Sequence, residues 1–161
     1  MDLAALTAAY TNAGSVFFTL FLSLLFYELS LSHKGGDRTK LRSTAIRIFA
    51  SLLILLVLVS AIKFAVNQSR PCDGQENCEW GSTFPSFHSA NAFAIAILLT
   101  LAYPRFAVLL FPLAIAVAYS RVALNFHFVI DTIAGALIGF AVAIAIYFSK
   151  IEKFLSEIHK Y

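Results

Sequence analysis

Five apolar runs, at residues 15–32, 44–67, 86–103, 106–121 and 126–148, constrain this chain more than any motif within it. Each comes close to the roughly 20 residues that cross a bilayer as an α-helix. The sequence therefore predicts an all-α integral membrane bundle of about five transmembrane helices, a single domain over residues 1–161. Charge content agrees, at 13% against about 25% in an average soluble domain. The apolar segment 1–14 either lengthens the first helix or lies in the interface. The first run lacks a basic leader and a small-residue cleavage site, so it reads as a retained helix and not as a removable signal. The tail IEKFLSEIHKY sets Ile151, Phe154, Leu155 and Ile158 on one face and reads as an amphipathic helix lying on the membrane surface.

Orientation follows from the twelve Lys and Arg residues. Lys34, Arg38, Lys40, Arg42, Arg47, Arg105, Lys150, Lys153 and Lys160 fall on one side of a five-span bundle, which the positive-inside rule makes cytoplasmic. The N-terminus is then outside and the C-terminus inside. Only Lys63, Arg70 and Arg121 remain for the outer side. Basic residues spread over helix ends in this way fit lipid headgroups, not nucleic acid, so the bilayer is the expected partner. Cys72 and Cys78 share the outer loop 68–84. An oxidising compartment would join them in a disulfide worth about 2 kcal/mol by loop entropy, the alternative being two free thiols. The loop has no third soft ligand for zinc.

Between the last two runs, SRVALNFHFVID places an arginine, a histidine and a carboxylate where ionisable groups are expensive. On a helix, the spacing of four puts His127 and Asp131 on one face, where the carboxylate can accept the Nδ1 proton and leave Nε2 as a nucleophile. A capping His with a solvated Asp is the plainer alternative. Lys63 and Arg70 are two helical turns apart, on one face if the helix persists to Pro71; alone they would read as snorkelling cations. In GSTFPSFHSANAF, Pro85 suits a first helical turn, and the hydroxyls of Ser82, Thr83 and Ser86 suit its capping. That helix N-terminus would favour an anion, with His88 placed as a general acid. Gly135 and Gly139 have the small-xxx-small spacing of close helix packing.

Chain reversal brings these segments to one membrane face. Three cations and a helix N-terminus match a phosphate group, and two histidines match a nucleophile and an acid. No clustered carboxylates suggest magnesium or zinc, so neither a metal nor a cofactor is expected. The chemistry implied is phosphoryl transfer through a phosphohistidine.

The three blocks, Lys63 with Arg70-Pro71, then Pro85-Ser86-Phe87-His88, then Ser120-Arg121 with His127 and Asp131, resemble the tripartite signature of the phosphatidic acid phosphatase type 2 superfamily. They cover residues 63–131 in the family order. The resemblance implies that His127 is the nucleophile, Asp131 its orienting partner and His88 the acid. It implies that Lys63, Arg70, Arg121, Ser86 and the backbone at Phe87 bind phosphate. Two features depart from the pattern: Phe87 stands where the family usually has Gly, and five spans replace the six common there. The lead expectation is an outward-facing lipid phosphatase acting on an isoprenoid diphosphate of undecaprenyl or dolichyl type. Phosphatidate or phosphatidylglycerophosphate is the runner-up. A membrane transport subunit would spread its charges across bilayer depth, and the soluble vanadate haloperoxidases of the superfamily would lack the five runs.

Overall fold

The computed structural model describes residues 3–75, 78 and 81–149, with residues 3–13 as backbone only. Among them the chain is all helical: α1 (Leu3–Ser32), α2 (Gly35–Val66), α3 (Phe87–Ala102), a 3-10 turn (Pro104–Phe106), α4 (Ala107–Ala123) and α5 (Val129–Phe148). The five α-helices fall on the five apolar runs, and α1 takes in most of the segment before residue 15. The amphipathic tail helix lies outside the described residues.

Four segments, Gly14–Ser32, Gly35–Val66, Pro104–Ala123 and Val129–Phe148, are long and apolar enough to cross a membrane. The third run gives a shorter helix of 16 residues, about 24 Å at 1.5 Å per residue against a hydrocarbon layer of about 30 Å. Its limits are local. Ser86 caps its start, and Pro104, which cannot continue a helix, follows its end. A short helix is tolerated here because α3 is the interior element: most of its residues from Phe87 to Leu99 are buried, against α2, α4 and α5.

The core joins Ile48, Leu52, Leu55 and Val59 of α2 to Ala90, Ala94 and Leu98 of α3 and to Val142, Ala143 and Ile146 of α5. The outer surface is apolar as well: Phe64 is 90% exposed, Val108 86% and Val57 73%. A soluble protein with such a surface would aggregate, whereas lipid tails accept it without cost. Because lipid gives apolar side chains no drive to pair, the helices are joined by small residues and buried polar contacts. A side chain at Gly139 would run into the Ala90 carbonyl, and one at Gly135 into the Ser86 carbonyl. Ser89 Oγ donates to the Thr132 carbonyl at 2.7 Å, between α3 and α5. Asn91 Nδ2 donates to Thr19 Oγ1 at 2.7 Å, between α3 and α1.

One end of the bundle collects the C-termini of α2 and α4 with the N-termini of α3 and α5. At the other end Lys40 lies 4.5 Å over the Tyr103 ring and Arg47 lies 4.7 Å over the Tyr147 ring. Cys72 and Cys78 form the expected disulfide in the loop between α2 and α3. One local expectation fails. The second helix stops at Val66, because Asn67 turns left-handed at φ 44° and its N–H bonds back to the Lys63 carbonyl at 3.0 Å. Arg70 is thus a loop residue, and its relation to Lys63 is set by the loop and not by a shared helical face.

Candidate active site

Three short segments and the ends of α2 and α4 meet at the loop end of the bundle. The first is the turn after α2, which buries Arg70 to 7% exposure. Its Nε donates to the Gly81 carbonyl at 3.1 Å and its Nη1 to the Phe126 carbonyl at 2.9 Å, so one guanidinium joins the loop before α3 to the loop before α5. Gly81 holds its part of this clamp at φ 84°, a conformation that only glycine adopts freely. Nη1 also lies 3.3 Å from His127 Nε2.

The second segment delivers His127. After α4, Asn125 reverses the chain at φ 58°, and the N–H groups of Phe126 and His127 both donate to the Arg121 carbonyl, at 3.0 and 3.1 Å. His127 therefore stands in a loop ahead of α5, not on its face, and is 2% exposed. Asp131 lies in the first turn of α5, fully buried, where its Oδ2 accepts the Phe128 N–H at 2.8 Å. The carboxylate and the imidazole are 3.5 Å apart at Oδ2 and Nδ1, longer than a good hydrogen bond.

Thr83 fills that gap. Fully buried, its hydroxyl donates to Asp131 Oδ2, and Oγ1 lies 3.2 Å from His127 Nδ1. Once the hydroxyl proton is committed to the carboxylate, Oγ1 can serve His127 only as an acceptor, so Nδ1 carries the ring proton and Nε2 has the lone pair. Burial, followed by the positive charges of Arg70, Lys63 and His88, pushes the His127 pKa down to about 2 and keeps the ring neutral. By its sequence Thr83 reads as a capping hydroxyl. The only cue to another role is its place two residues before Pro85, and nothing local points to a partner 44 positions away.

The third segment is the start of α3. Ser86 is the N-cap, its side chain accepting the Ser89 N–H at 3.4 Å, while Ser82 Oγ serves the loop by accepting the Gln68 N–H at 3.0 Å. Pro85 precedes the cap and takes no part in the first turn. Ser86 is fully buried, and its own N–H donates to the Asp131 carbonyl at 3.0 Å, tying the two helix starts together. The first-turn amides, which an α-helix leaves without an intrahelical acceptor, belong to Phe87, His88 and Ser89. Phe87 sits in this turn without a positive φ, so the absence of Gly imposes no strain. Its ring stands edge-on to His88, with centroids 6.5 Å apart.

Lys63 and Arg121 complete the set from the ends of α2 and α4. Lys63 Nζ donates to the carbonyls of Ser82 and Thr83, the latter at 3.3 Å. The Arg121 guanidinium lies 5.3 Å over the Phe126 ring. A cavity of about 700 Å³ is lined by Lys63, Arg70, His88, His127, Phe87 and apolar residues of α1 and α2. A second, of about 720 Å³ between α1, α3 and α4, is lined by His88, Arg121, Asn91 and apolar residues. The structure thus gathers Lys63, Arg70, His88, His127 and Asp131 around one cavity or behind it, sets Arg121 on the adjoining one, and keeps Ser86 beneath the helix start. Among the described residues no group of three His, Cys, Asp or Glu side chains could hold a metal ion.

A model of the PAP2 superfamily matches residues 44–153, more than half of the chain. Among solved structures, the crystal structure of Aquifex aeolicus LpxE is similar, with a TM-score of 0.60 and 27% identity over 83% of this chain and 84% of that one. No curated protein sequence matches. The matched stretch contains every side chain of the site from Lys63 to Asp131, and the chain therefore belongs to the PAP2 superfamily, as a membrane lipid phosphatase.

Proposed function

We propose that the protein removes the terminal phosphate of an isoprenoid diphosphate, of undecaprenyl or dolichyl type, through a metal-independent phosphohistidine mechanism at the outer membrane face. The observation that carries this reading is the geometry at His127: a buried ring whose Nδ1 lies 3.2 Å from the Thr83 hydroxyl, itself bonded to Asp131, and whose Nε2 lies 3.3 Å from Arg70 Nη1. Nε2 attacks the terminal phosphorus and forms the P–N bond as the P–O bond to the lipid monophosphate breaks. His88, on the wall of the same cavity, donates its proton to the departing oxygen. It then takes a proton from water, which attacks phosphorus, breaks the P–N bond and releases inorganic phosphate. Lys63 and Arg70 stabilise the equatorial oxygens, with the Phe87 and His88 amides assisting. Ser86 acts from behind, by fixing the helix start from which those amides project.

Two features support the outer face. The disulfide stands at the site end, and such bonds persist in oxidising compartments. Most described basic residues belong to the other end, the cytoplasmic one by the positive-inside rule.

Purified protein should release phosphate from prenyl diphosphate with excess EDTA present, and acid-labile phosphate should be trapped on His127. Loss of turnover on chelation, restored by magnesium, would sink the metal-independent mechanism. Hydrolysis of phosphatidate or phosphatidylglycerophosphate with prenyl diphosphate inert would replace the substrate.

A further inference from the structure

We propose that Lys63 is a positioning residue for the nucleophile as well as a phosphate ligand: it grips the strap 81–83 and so holds the Thr83 hydroxyl where that group fixes the His127 ring. The proposal rests on the reading of His127 as the nucleophile. Three consecutive carbonyls of the strap accept from two cations. Arg70 Nε donates to the Gly81 carbonyl at 3.1 Å, and Lys63 Nζ donates to the carbonyls of Ser82 and Thr83, the latter at 3.3 Å. The strap is tied to the turn after α2 as well: the Thr83 N–H donates to the Gln68 carbonyl at 2.9 Å and the Gln68 N–H to Ser82 Oγ at 3.0 Å. Ser82 and Thr83 are both buried.

An ammonium group has three N–H donors. With two of them on the strap, at most one is left for a phosphoryl oxygen, so Lys63 does more in this site than neutralise phosphate. The residue whose carbonyl it holds is also the one that sets the tautomer. Thr83 Oγ1 donates to Asp131 Oδ2 and lies 3.2 Å from His127 Nδ1. That distance is at the long edge of a good hydrogen bond, so a displacement of about half an ångström is enough to release Nδ1. A buried carbonyl is costly to leave without a donor. Without Lys63 the strap therefore relaxes toward other partners and takes Oγ1 with it. The ring then populates both tautomers, and in one of them Nε2 carries the proton and has no lone pair with which to attack phosphorus.

The test is read on the ring, in histidine-labelled full-length protein in micelles. At pH 8, well above the ordinary histidine pKa of about 6.5, the imidazole is neutral in every variant. Nitrogen-15 shifts then separate the two tautomers, and comparison with His127→Ala identifies the signal among the four histidines. Wild-type protein should show the Nδ1–H form alone and Thr83→Val a mixture. Lys63→Met should show the same mixture, with no further change in the double variant. Lys63→Arg, which keeps a donor for the carbonyls, should return the single tautomer. A folded Lys63→Met protein with the wild-type tautomer would leave Lys63 a phosphate ligand only and overturn the proposal. Should Lys63→Met fail to fold, Lys63→Gln carries the same criterion. Kinetics give a second reading, because effects multiply for independent residues and do not where one acts through the other. Thr83→Val should cost kcat about 10- to 100-fold in the wild type but less than about twofold in the Lys63→Met background. The full loss in both backgrounds would overturn the coupling. Wild-type protein inert toward every lipid phosphate offered, with the tautomers as expected, would overturn the proposed function and not the positioning.

Discussion

The nucleophilic role proposed for His127 requires a neutral ring in a cluster of cations. Burial and the neighbouring charges push its pKa down to about 2, so it should remain unprotonated at pH 5, where an ordinary histidine is about 97% protonated. Nitrogen-15 NMR of histidine-labelled protein in micelles should therefore show one bare ring nitrogen for His127 at pH 5, and a cationic ring would contradict the structure. The same depression has a cost in stability. Below about pH 6.5 the unfolded chain binds a proton that the folded chain refuses, so stability falls as pH drops through that range. Thr83 is the residue that sets the tautomer. Thr83→Val keeps the shape but removes the bridge, and kcat should fall about 10- to 100-fold with little change in KM, the range for an outer partner of a functional imidazole. Thr83→Ser should recover most of the loss. His127→Ala should abolish both labelling and turnover. His88→Ala should cost a lipid monophosphate up to about 100- to 10,000-fold and a diphosphate much less, because a phosphate is the better leaving group. Rapid-quench labelling separates these variants, and normal labelling of His127→Ala would reject the assignment.

The elements are placed by close approach. α5 meets α3 along Gly135 and Gly139, where an added methyl would collide with the Ser86 and Ala90 carbonyls. Backbone cannot rotate out of the way as a flexible side chain can, so Gly139→Ala should destabilise by about 1–3 kcal/mol, the usual cost of overpacking. Gly135→Ala should also reduce activity, because the carbonyl it displaces belongs to the cap of the helix that carries His88. Gly14 has open space around its Cβ position, and Gly14→Ala should be neutral. Thermal unfolding in detergent checks all three. Equal behaviour of Gly14 and Gly139 would mean that the contact between α3 and α5 is looser than the structure shows.

At the scale of the whole molecule, the ends of the bundle differ in chemistry. The site end has the disulfide and the phosphate-binding candidates, and the other end has the stacked Lys40 and Arg47. A membrane-impermeant thiol reagent should label Leu124→Cys in intact cells and Gly36→Cys only after permeabilisation. The reverse pattern would turn the site to the cytoplasm. Reduction of Cys72–Cys78 should cost about 2 kcal/mol by loop entropy. It should also raise KM, since Arg70 sits two residues before the bridge and depends on that loop for its place. Denaturation with and without reductant, alongside kinetics, measures both effects.

The helices are legible in the sequence because a bilayer demands long apolar segments with internally satisfied backbones, a requirement that each run states by itself. Chain reversal then fixes which loops share an end, so Lys63, Arg70, His88, Arg121 and His127 can be gathered from sequence alone. The disulfide is readable for the same reason. What periodicity cannot supply is the arrangement inside that end. Asn67 ends α2 one turn early and frees Arg70 from the helix, and Arg70 then bonds to a carbonyl 56 positions along the chain. Thr83 stands between a histidine and a carboxylate that the spacing alone would place in direct contact. Arg121 faces a different cavity from Lys63 and Arg70. Apart from Arg121 in α4 and Asp131 in α5, these residues lie in loops, where no repeating geometry links sequence spacing to position. They are decided by how four helix ends pack around the short α3.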